Sequence, residues 1–280
     1  SSYIGGNLRD EGESIAIDTG GNVYVVGSTE SSDFPTTSGA YDASFHGYVD
    51  VFVSKLNGDL TDLLASTFLG GDLREEGESI AVDTGGNIYV AGFTWTSDFP
   101  ITPDAYDTSP NGSVDAFVSR LNGDLTSLLA STYLGGASSD DAHSLAIDTG
   151  GNVYVAGSTY SSNFPTTTGA YDIYFNSDRR DDAFISKFDS NLSSGKVSYW
   201  KFNEGSGMIA RDSADRNDGA INGAVWATGI KGGGLSFDGD DSVEIPGLIG
   251  LPQNITISGW AKLISKDTEG AELISLGDYV

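Results

Sequence analysis

The chain has 280 residues, and its 38 glycines, 13 tyrosines and 13 phenylalanines indicate an all-β protein with many tight turns. Its formal net charge of −26 at pH 7 argues against binding to nucleic acid or to anionic membrane surfaces, and no apolar segment is long enough for membrane insertion. Because the sequence contains no cysteine, it excludes disulfides, thiol nucleophiles and thiolate metal sites.

The first 190 residues contain three copies of one sequence pattern with a period of 65 residues. The recurring segments are Tyr3–Gly6 (again from Phe68 and Tyr133), Ile15–Val25 (again from Ile80 and Leu145), Phe34-Pro35 (again at 99 and 164) and Ala40–Asp42 (again at 105 and 170). The third copy gains two residues around Arg179 and Arg180. Such agreement indicates a repeat architecture in which each copy is one supersecondary unit.

Each copy contains four short apolar segments, which predict four antiparallel strands. In the first copy they span about Ser14–Asp18, Val23–Ser28, Asp50–Leu56 and Leu63–Leu69. Thr-Gly-Gly-Asn joins the first pair and Asn-Gly-Asp the last pair, and both favour hairpin turns. The long loop between the second and third strands keeps Phe-Pro and Ala-Tyr-Asp in every copy, so we expect it to be ordered. Four antiparallel strands per repeat predict one β-propeller blade.

The repeated residues resemble the SBBP family, the bacterial β-propeller repeat, over residues 1 to about 190. The resemblance rests on Tyr-Leu-Gly-Gly, Gly-Asn-x-Tyr-Val-x-Gly-x-Thr, Phe-Pro-Thr and Asp-Ala-Phe-Val-Ser-Lys. It implies about three blades in residues 1–189, an extracellular or cell-surface location in a bacterium or archaeon, and no common catalytic residue. Because known propellers have at least four blades, we expect an incomplete ring with further blades upstream.

One face of the predicted blades collects the long loop and the acidic connection after the fourth strand. It carries Asp10-Glu11, Glu75-Glu76 and Asp140-Asp141, then Glu13, Glu78 and His143 just before the innermost strand, and Glu30, Trp95 and Tyr160 at one equivalent position. One interpretation is a cation or glycan site at the channel mouth, formed by Glu13, Glu78, His143, Trp95 and Tyr160. The alternative, which the sequence alone favours, is a solvated acidic surface with one exposed aromatic residue per blade.

After a short polar linker at 190–196, residues 197–280 predict a second all-β domain. Its sequence resembles the LamG-like, or concanavalin A-like, lectin and glucanase jelly roll in Tyr199–Gly207, Asp212–Gly219, Leu235–Pro246 and Ile255–Trp260. The resemblance implies the N-terminal part of a jelly-roll β-sandwich, truncated at Val280. It also implies binding of glycans or protein surfaces, often with Ca²⁺.

Asp238, Asp240 and Asp241 are the candidate Ca²⁺ ligands, because they offer three carboxylates around Gly239. The alternative is an acidic β-turn whose aspartates bond their own backbone. In the same segment we expect Trp200 and Trp260 to belong to the core, whereas Trp226 is ambiguous.

The sequence contains no recognisable catalytic motif. The E-x-D-x-x-E motif of jelly-roll glucanases is absent, and the two histidines, His46 and His143, occupy non-equivalent repeat positions. We therefore expect a non-catalytic extracellular binding or adhesion protein. Its LamG-like domain would recognise glycans or other cell-surface or extracellular-matrix components, with the propeller as scaffold. The alternatives are a structural spacer of a large cell-surface protein and the accessory modules of a secreted polysaccharide-active enzyme.

Overall fold

A computed structural model of the chain describes residues 1–167, 169–176, 180–193, 204–211, 219–228, 233–237 and 242–244. Every regular element among these residues is a β-strand, and each sheet is antiparallel and open. No helix long and apolar enough to cross a membrane occurs in this described part. The chain divides into two compact units, Ser1–Gly195 (unit 1) and Lys196–Val280 (unit 2).

Unit 1 contains the three repeats, and each repeat forms one sheet in which consecutive strands are neighbours. The first sheet contains β1 (Asp10–Ile17), β2 (Val23–Thr29), β3 (Asp50–Leu56) and β4 (Leu63–Leu69). The second contains β5 (Glu75–Val82), β6 (Ile88–Thr94), β7 (Asp115–Leu121) and β8 (Leu128–Leu134). The third contains β9 (Asp140–Ile147), β10 (Val153–Thr159) and β11 (Asp182–Phe188); the residues that follow Ser193, up to 203, lie outside the described residues. The all-β fold built from propeller-like blades is confirmed.

One aspartate closes the hairpin between the first two strands of each blade. In the first blade, Asp18 Oδ1 accepts hydrogen bonds from the backbone N–H groups of Gly20 at 2.8 Å and Asn22 at 2.9 Å, and Asn22 Nδ2 donates to Oδ2 at 2.8 Å. The side-chain bond from Asn22, followed by the backbone bonds, lowers the pKa of Asp18. Gly21 has a φ of 82°, which is the left-handed conformation that the Gly-Gly-Asn sequence predicts.

The long loop is ordered, as predicted, because it packs along the outermost strand of its blade. Phe34 is buried, and its ring centroid lies 4.3 Å from that of Phe52. Thr37 and Ser66 exchange two hydrogen bonds: Thr37 N donates to Ser66 O at 3.1 Å, and Ser66 N donates to Thr37 Oγ1 at 3.0 Å. The second repeat makes the equivalent contacts through Phe99, Phe117, Thr102 and Ser131.

The first strand of each blade is longer than predicted because it contains a β-bulge. In β1 the register shifts between Gly12 and Ser14, so Glu13 is the extra residue and pairing continues back to Asp10. A bulge interrupts the alternation of inward and outward side chains. The sequence pattern therefore predicted a strand that began only at Ser14.

The hydrophobic core of unit 1 lies mainly between neighbouring blades. The first core joins Tyr24, Val26, Val51 and Val53 of the first repeat to Ile80, Ile88 and Leu125 of the second. The next core joins Tyr89, Ala91, Ala116 and Val118 to Leu145, Val153 and Leu192. Each sheet therefore buries its apolar faces against its neighbours, as in other repeat proteins.

The turn after β7, at residues 122–125, docks on the first blade. Gly123 O accepts hydrogen bonds from Tyr24 Oη at 3.0 Å and from Lys55 Nζ at 3.1 Å. The side chain of Leu125 is fully buried in the core that it shares with the first blade. The turn thus supplies both polar and apolar contacts to the preceding blade.

The turn after β11 repeats this contact with the second blade. Ser190 O accepts hydrogen bonds from an Arg120 terminal nitrogen at 2.6 Å and from Tyr89 Oη at 3.4 Å. Leu192 is fully buried, and Ser193 forms an antiparallel bridge with Ala105. The first residues of the segment predicted as a linker, 190–193, therefore belong to this docking turn.

The turns after β3, β7 and β11 each place a leucine in the left-handed region. Leu60, Leu125 and Leu192 have φ values of 58°, 55° and 53°, a conformation that costs a non-glycine residue about 1–2 kcal/mol. Leu125 and Leu192 are fully buried, whereas Leu60 is only half-buried and no described blade precedes its own. The leucine is therefore fully buried only in the two turns that dock on a preceding blade.

Unit 2 has two small antiparallel sheets among its described residues. One contains β12 (Ile209–Ala210), β13 (Gly219–Asn222) and β16 (Ser242–Glu244), and the other contains β14 (Val225–Thr228) and β15 (Gly233–Ser236). Trp226 Nε1 donates a hydrogen bond to Gly207 O at 2.8 Å. The candidate calcium ligands Asp238, Asp240 and Asp241, together with Trp200 and Trp260, lie outside the described residues.

Gly12 in β1 pairs with Gly27 in β2, and the structure predicts that alanine substitutions at these two positions have different effects on stability. A Cβ at Gly27 would lie 1.8 Å from the backbone oxygen of Glu11, whereas a Cβ at its partner Gly12 would meet nothing closer than 3.5 Å. Gly27→Ala should therefore lower the free energy of unfolding by about 2 kcal/mol or more. Gly12→Ala should change it by less than about 0.5 kcal/mol. Urea denaturation of both variants measures the difference, and equal losses would contradict the close approach.

Candidate functional site

One surface of unit 1, called here the loop face, is formed by the residues that follow β2, β6 and β10 and those that precede β1, β5 and β9. Equivalent backbone bonds hold these segments together: Glu30 N to Arg9 O at 2.8 Å, Trp95 N to Arg74 O at 3.0 Å, and Tyr160 N to Ser139 O at 2.8 Å. The three blades therefore present Glu30, Trp95 and Tyr160 from the same place in the fold. The repeats differ in chemistry at this position.

The candidate residues Glu13, Glu78 and His143 are the extra residues of the bulges in β1, β5 and β9. They lie within these strands rather than just before them, which corrects their predicted position. Burial raises the pKa of Glu78, the charge of Glu13 raises it further, and His143 lowers it, so the three side chains share one electrostatic environment. His143 Nε2 lies 3.2 Å from Ser158 Oγ. Within the described residues, no three His, Asp or Glu side chains converge as a metal site.

The first acid of two predicted acidic pairs is buried, so the prediction of a solvated surface was wrong for Glu75 and Asp140. Glu75 Oε2 accepts a hydrogen bond from Gly71 N at 3.0 Å, and Oε1 accepts one from Thr94 Oγ1 at 3.1 Å. Asp140 Oδ2 accepts the equivalent bond from Gly136 N at 2.7 Å and a bond from Ser161 Oγ, two residues beyond the equivalent of Thr94, at 2.8 Å. These acids fix the Gly-Gly segments that precede β5 and β9.

A second buried acid lies beside each of these groups. Asp50 accepts hydrogen bonds from the backbone N–H groups of His46 at 2.9 Å and Gly47 at 3.1 Å. Burial raises the pKa of Asp50 to about 6 and that of Glu75 to about 7, and the charge of Asp50 contributes to the latter shift. Asp115, beside Asp140, also has a pKa that burial raises to about 6. These carboxyl groups hold loops in place, and Asp115 also borders the open cleft beside Trp95.

An open cleft of about 440 Å³ lies beside Trp95 on the loop face of the second blade. Its walls include Asp72, Leu73, Thr96, Ser97, Asp98 and Ser113. The Trp95 side chain is 52% exposed, so much of its indole surface is in contact with solvent. Asp98 Oδ1 accepts hydrogen bonds from the Thr96 hydroxyl and from Asp72 N at 3.1 Å. The Thr96 bond is the main cause of a lowered Asp98 pKa, so the cleft carries a negative charge at neutral pH.

The apolar part of this cleft continues towards the first blade. Leu73 is 43% exposed, and its carbonyl oxygen accepts a hydrogen bond from Tyr48 N at 2.7 Å. Tyr48 is 76% exposed. The cleft thus has an aromatic wall at Trp95. The exposed Tyr48 lies next to its apolar side, held by the backbone hydrogen bond to Leu73.

A second groove on the loop face, beside Glu30 and bordered by residues of the first and second blades, has a different character. It is lined by Arg9, Glu11, Glu30, Arg74 and Glu76. Arg9 pairs with Glu11 at 2.7 Å, and Arg74 pairs with Glu76. Sequence reasoning missed both arginines, although they occupy the same position in two repeats. Their ion pairs make this groove polar, which leaves Trp95 and the 48% exposed Tyr160 as the aromatic candidates.

Three segments of the chain match the SBBP family model, a beta-propeller repeat, at residues 1–35, 69–100 and 131–165. The repeats match β-propeller blades. Each SBBP segment contains the glycine pair, the first two strands of its blade and the Phe-Pro residues that anchor the long loop. No curated protein matches the chain. The match therefore covers the first two strands of each blade and the residues that flank them.

The buried carboxyl groups of the repeats predict how stability depends on pH. Because folding raises the pKa of Glu75 from 4.5 to about 7, its contribution is fully present below pH 4.5 and is lost as the pH rises to 7. This loss amounts to about 3 kcal/mol. Glu75→Gln should therefore flatten the fall in stability over this interval, measured by urea denaturation at pH 4.5 to 8.

Glu13→Gln is the matched control, because it removes an exposed glutamate from the neighbouring blade. It should leave the slope of stability against pH unchanged. A steep fall that persists in Glu75→Gln would show that another group causes it.

Proposed function

We propose that unit 1 is a non-catalytic binding scaffold whose loop face binds a neutral glycan in the Trp95 cleft. The observation that carries this proposal is the half-exposed indole on the wall of an open cleft lined by carboxylate and hydroxyl groups. Scaffold-like binding is typical of β-propeller repeats, which supports the first part of the proposal.

The chemistry of the cleft favours a sugar. The indole of Trp95 offers a flat apolar surface on which the C–H face of a pyranose ring packs. Asp72 and Asp98 accept hydrogen bonds from sugar hydroxyls, and the hydroxyls of Ser97 and Ser113 can donate or accept them. Anionic ligands are disfavoured by these carboxylates and by the net charge of −26. An open cleft also suits one segment of a longer glycan better than a small enclosed ligand.

The placement of the perturbed acids supports a non-catalytic role. A general acid or base must lie within hydrogen-bonding reach of the substrate. Glu75, Asp50 and Asp115, whose pKa values burial raises to about 6 or 7, are almost fully buried and accept hydrogen bonds from backbone N–H groups of the connecting loops. Asp115 also borders the Trp95 cleft, where these backbone bonds hold its carboxyl group. Their geometry is that of structural carboxyl groups.

For unit 2 we propose a LamG-like lectin module, supported by the sequence resemblance over residues 197–280. Asp238, Asp240 and Asp241 would supply Ca²⁺ ligands there. The combination of a binding scaffold with a lectin-like module supports a role in adhesion outside the cell or at its surface. The Trp95 cleft and the Asp238 loop are then two separate binding sites, which chelation distinguishes.

The test is binding of the chain to an array of neutral polysaccharides, followed by titration of any hit with intrinsic fluorescence as the readout. Trp95→Ala should weaken binding at least about tenfold, because it removes the aromatic surface. Tyr160→Ala, which removes the aromatic residue at the equivalent position of the next blade, is the matched control and should have a smaller effect.

Two results would contradict the cleft proposal. Binding that Trp95→Ala leaves unchanged but a chelator abolishes would assign glycan recognition to the Asp238 loop. Binding to no polysaccharide would favour the structural-spacer alternative.

A further inference from the structure

Three backbone segments lie side by side on the loop face, where the first blade meets the second. They are the end of the first long loop, the segment that enters β5 and the segment that follows β6. Val49 forms a parallel bridge with Arg74, and Trp95 N donates a hydrogen bond to Arg74 O at 3.0 Å. Because neighbouring strands are about 4.8 Å apart, the first and third segments are separated by about 10 Å.

Tyr48 lies on the first of these segments and is held there by a close backbone approach. Its N–H donates to Leu73 O at 2.7 Å. The preceding Gly47 permits this approach, because a Cβ there would lie 2.1 Å from the same oxygen. In the next repeat the equivalent residue, Ser113, has its hydroxyl oxygen 3.4 Å from that of Ser139 on the entering segment. A side chain at this repeat position therefore extends over the neighbouring blade.

The exposed side chains of the three segments form a row, called here the aromatic row, that consists of Tyr48, Leu73 and Trp95. Tyr48 is 76% exposed at one end, and Trp95 is half-exposed at the other. Leu73 lies between them and lines the same open cleft as Trp95. At the boundary between the second and third blades, the equivalent positions hold Ser113, Ser138 and Tyr160. That boundary has an aromatic residue at one end only.

On the basis of the proposed glycan site at Trp95, we propose that the aromatic row binds a neutral oligosaccharide, with Trp95 and Tyr48 packing on two different rings of one chain. The span of about 10 Å exceeds the length of a single pyranose ring, and the apolar Leu73 lies beneath the part of the chain between the two contacts. Arg74 on the middle segment is paired with Glu76, which favours a neutral chain over an acidic one.

Two contacts on one chain predict an affinity that rises with the length of the ligand. A short ligand that reaches only Trp95 loses its translational and rotational freedom in return for one aromatic contact. A longer chain that also reaches Tyr48 gains the second contact without a second loss of this kind. An aromatic contact of this type changes affinity by about fivefold.

Titration calorimetry of the whole chain with ligands of increasing length tests the proposal. The probes are oligosaccharides from the disaccharide to the hexasaccharide, prepared by partial hydrolysis of a neutral polysaccharide that binds on the array. For the wild type, affinity should rise at least about fivefold along this series. Tyr48→Ala should remove the rise and leave the affinity for the shortest bound ligand unchanged. Trp95→Ala should weaken binding at every length.

Two further variants control for the chemistry and the place of the contact. Tyr48→Phe keeps the aromatic ring and removes the hydroxyl, so it should retain the rise in affinity with length. Tyr174→Ala removes an equally exposed tyrosine from the long loop of the third blade and should bind like the wild type. Circular dichroism checks that each variant is folded, which the exposure of both tyrosines leads us to expect.

The outcomes separate this inference from the function on which it rests. Binding that requires Trp95 but has the same affinity at every length would overturn the aromatic row and leave the Trp95 cleft as a site for one sugar. A rise with length that Tyr48→Ala retains, or that Tyr174→Ala also abolishes, would overturn it as well. Binding to no neutral polysaccharide would overturn both the aromatic row and the proposed function.

Discussion

The repeats of unit 1 are joined by one contact, in which the turn after the third strand of a blade docks on the preceding blade. The carbonyl of residue 123 or 190 accepts hydrogen bonds from a tyrosine and a cationic side chain of the neighbouring blade. The leucine two residues later fills the core between the sheets. Its left-handed conformation costs about 1–2 kcal/mol, and burial of a leucine side chain contributes about 1.5–3 kcal/mol. The strain is therefore offset only where a preceding blade receives the side chain, as it does for Leu125 and Leu192.

The loop face depends on this stacking of blades. Buried carboxyl groups at Glu75 and Asp140 hold the glycine pairs that enter β5 and β9, and Asp50 holds the end of the long loop. With these segments fixed, the residue after each second strand reaches the surface at an equivalent place. The repeats can then differ at that place without changing the scaffold. In the second blade this residue is Trp95, and it forms one wall of the cleft.

Much of the blade could be predicted from the sequence, because three copies reveal the same strand and turn pattern. β3 and β4 begin and end where predicted, and the hairpin glycine at Gly21 has the expected conformation. The start of β1 was missed because the bulge at Glu13 breaks the alternation of side chains. The buried state of Glu75 was missed because charged residues are usually exposed, and its backbone partner becomes apparent only in the folded chain. The left-handed conformation of Leu125 was not predicted, because the preceding residues Asn-Gly-Asp adopt this conformation more readily than leucine does. Trp95 was found because it departs from the repeat, but its cleft also depends on loops distant in sequence.

Hydrogen exchange of Leu125→Ala tests most directly whether the docked turn supports the preceding blade. Leu129→Ala is the matched control, because Leu129 lies on the next strand of the same repeat and is 40% exposed. Our account predicts that Leu125→Ala lowers stability by about 2–5 kcal/mol and accelerates amide exchange in β2 and β3 of the first blade. Leu129→Ala should leave exchange in those strands almost unchanged. Exchange that accelerates only in β7 and β8, with the first blade protected as before, would contradict it.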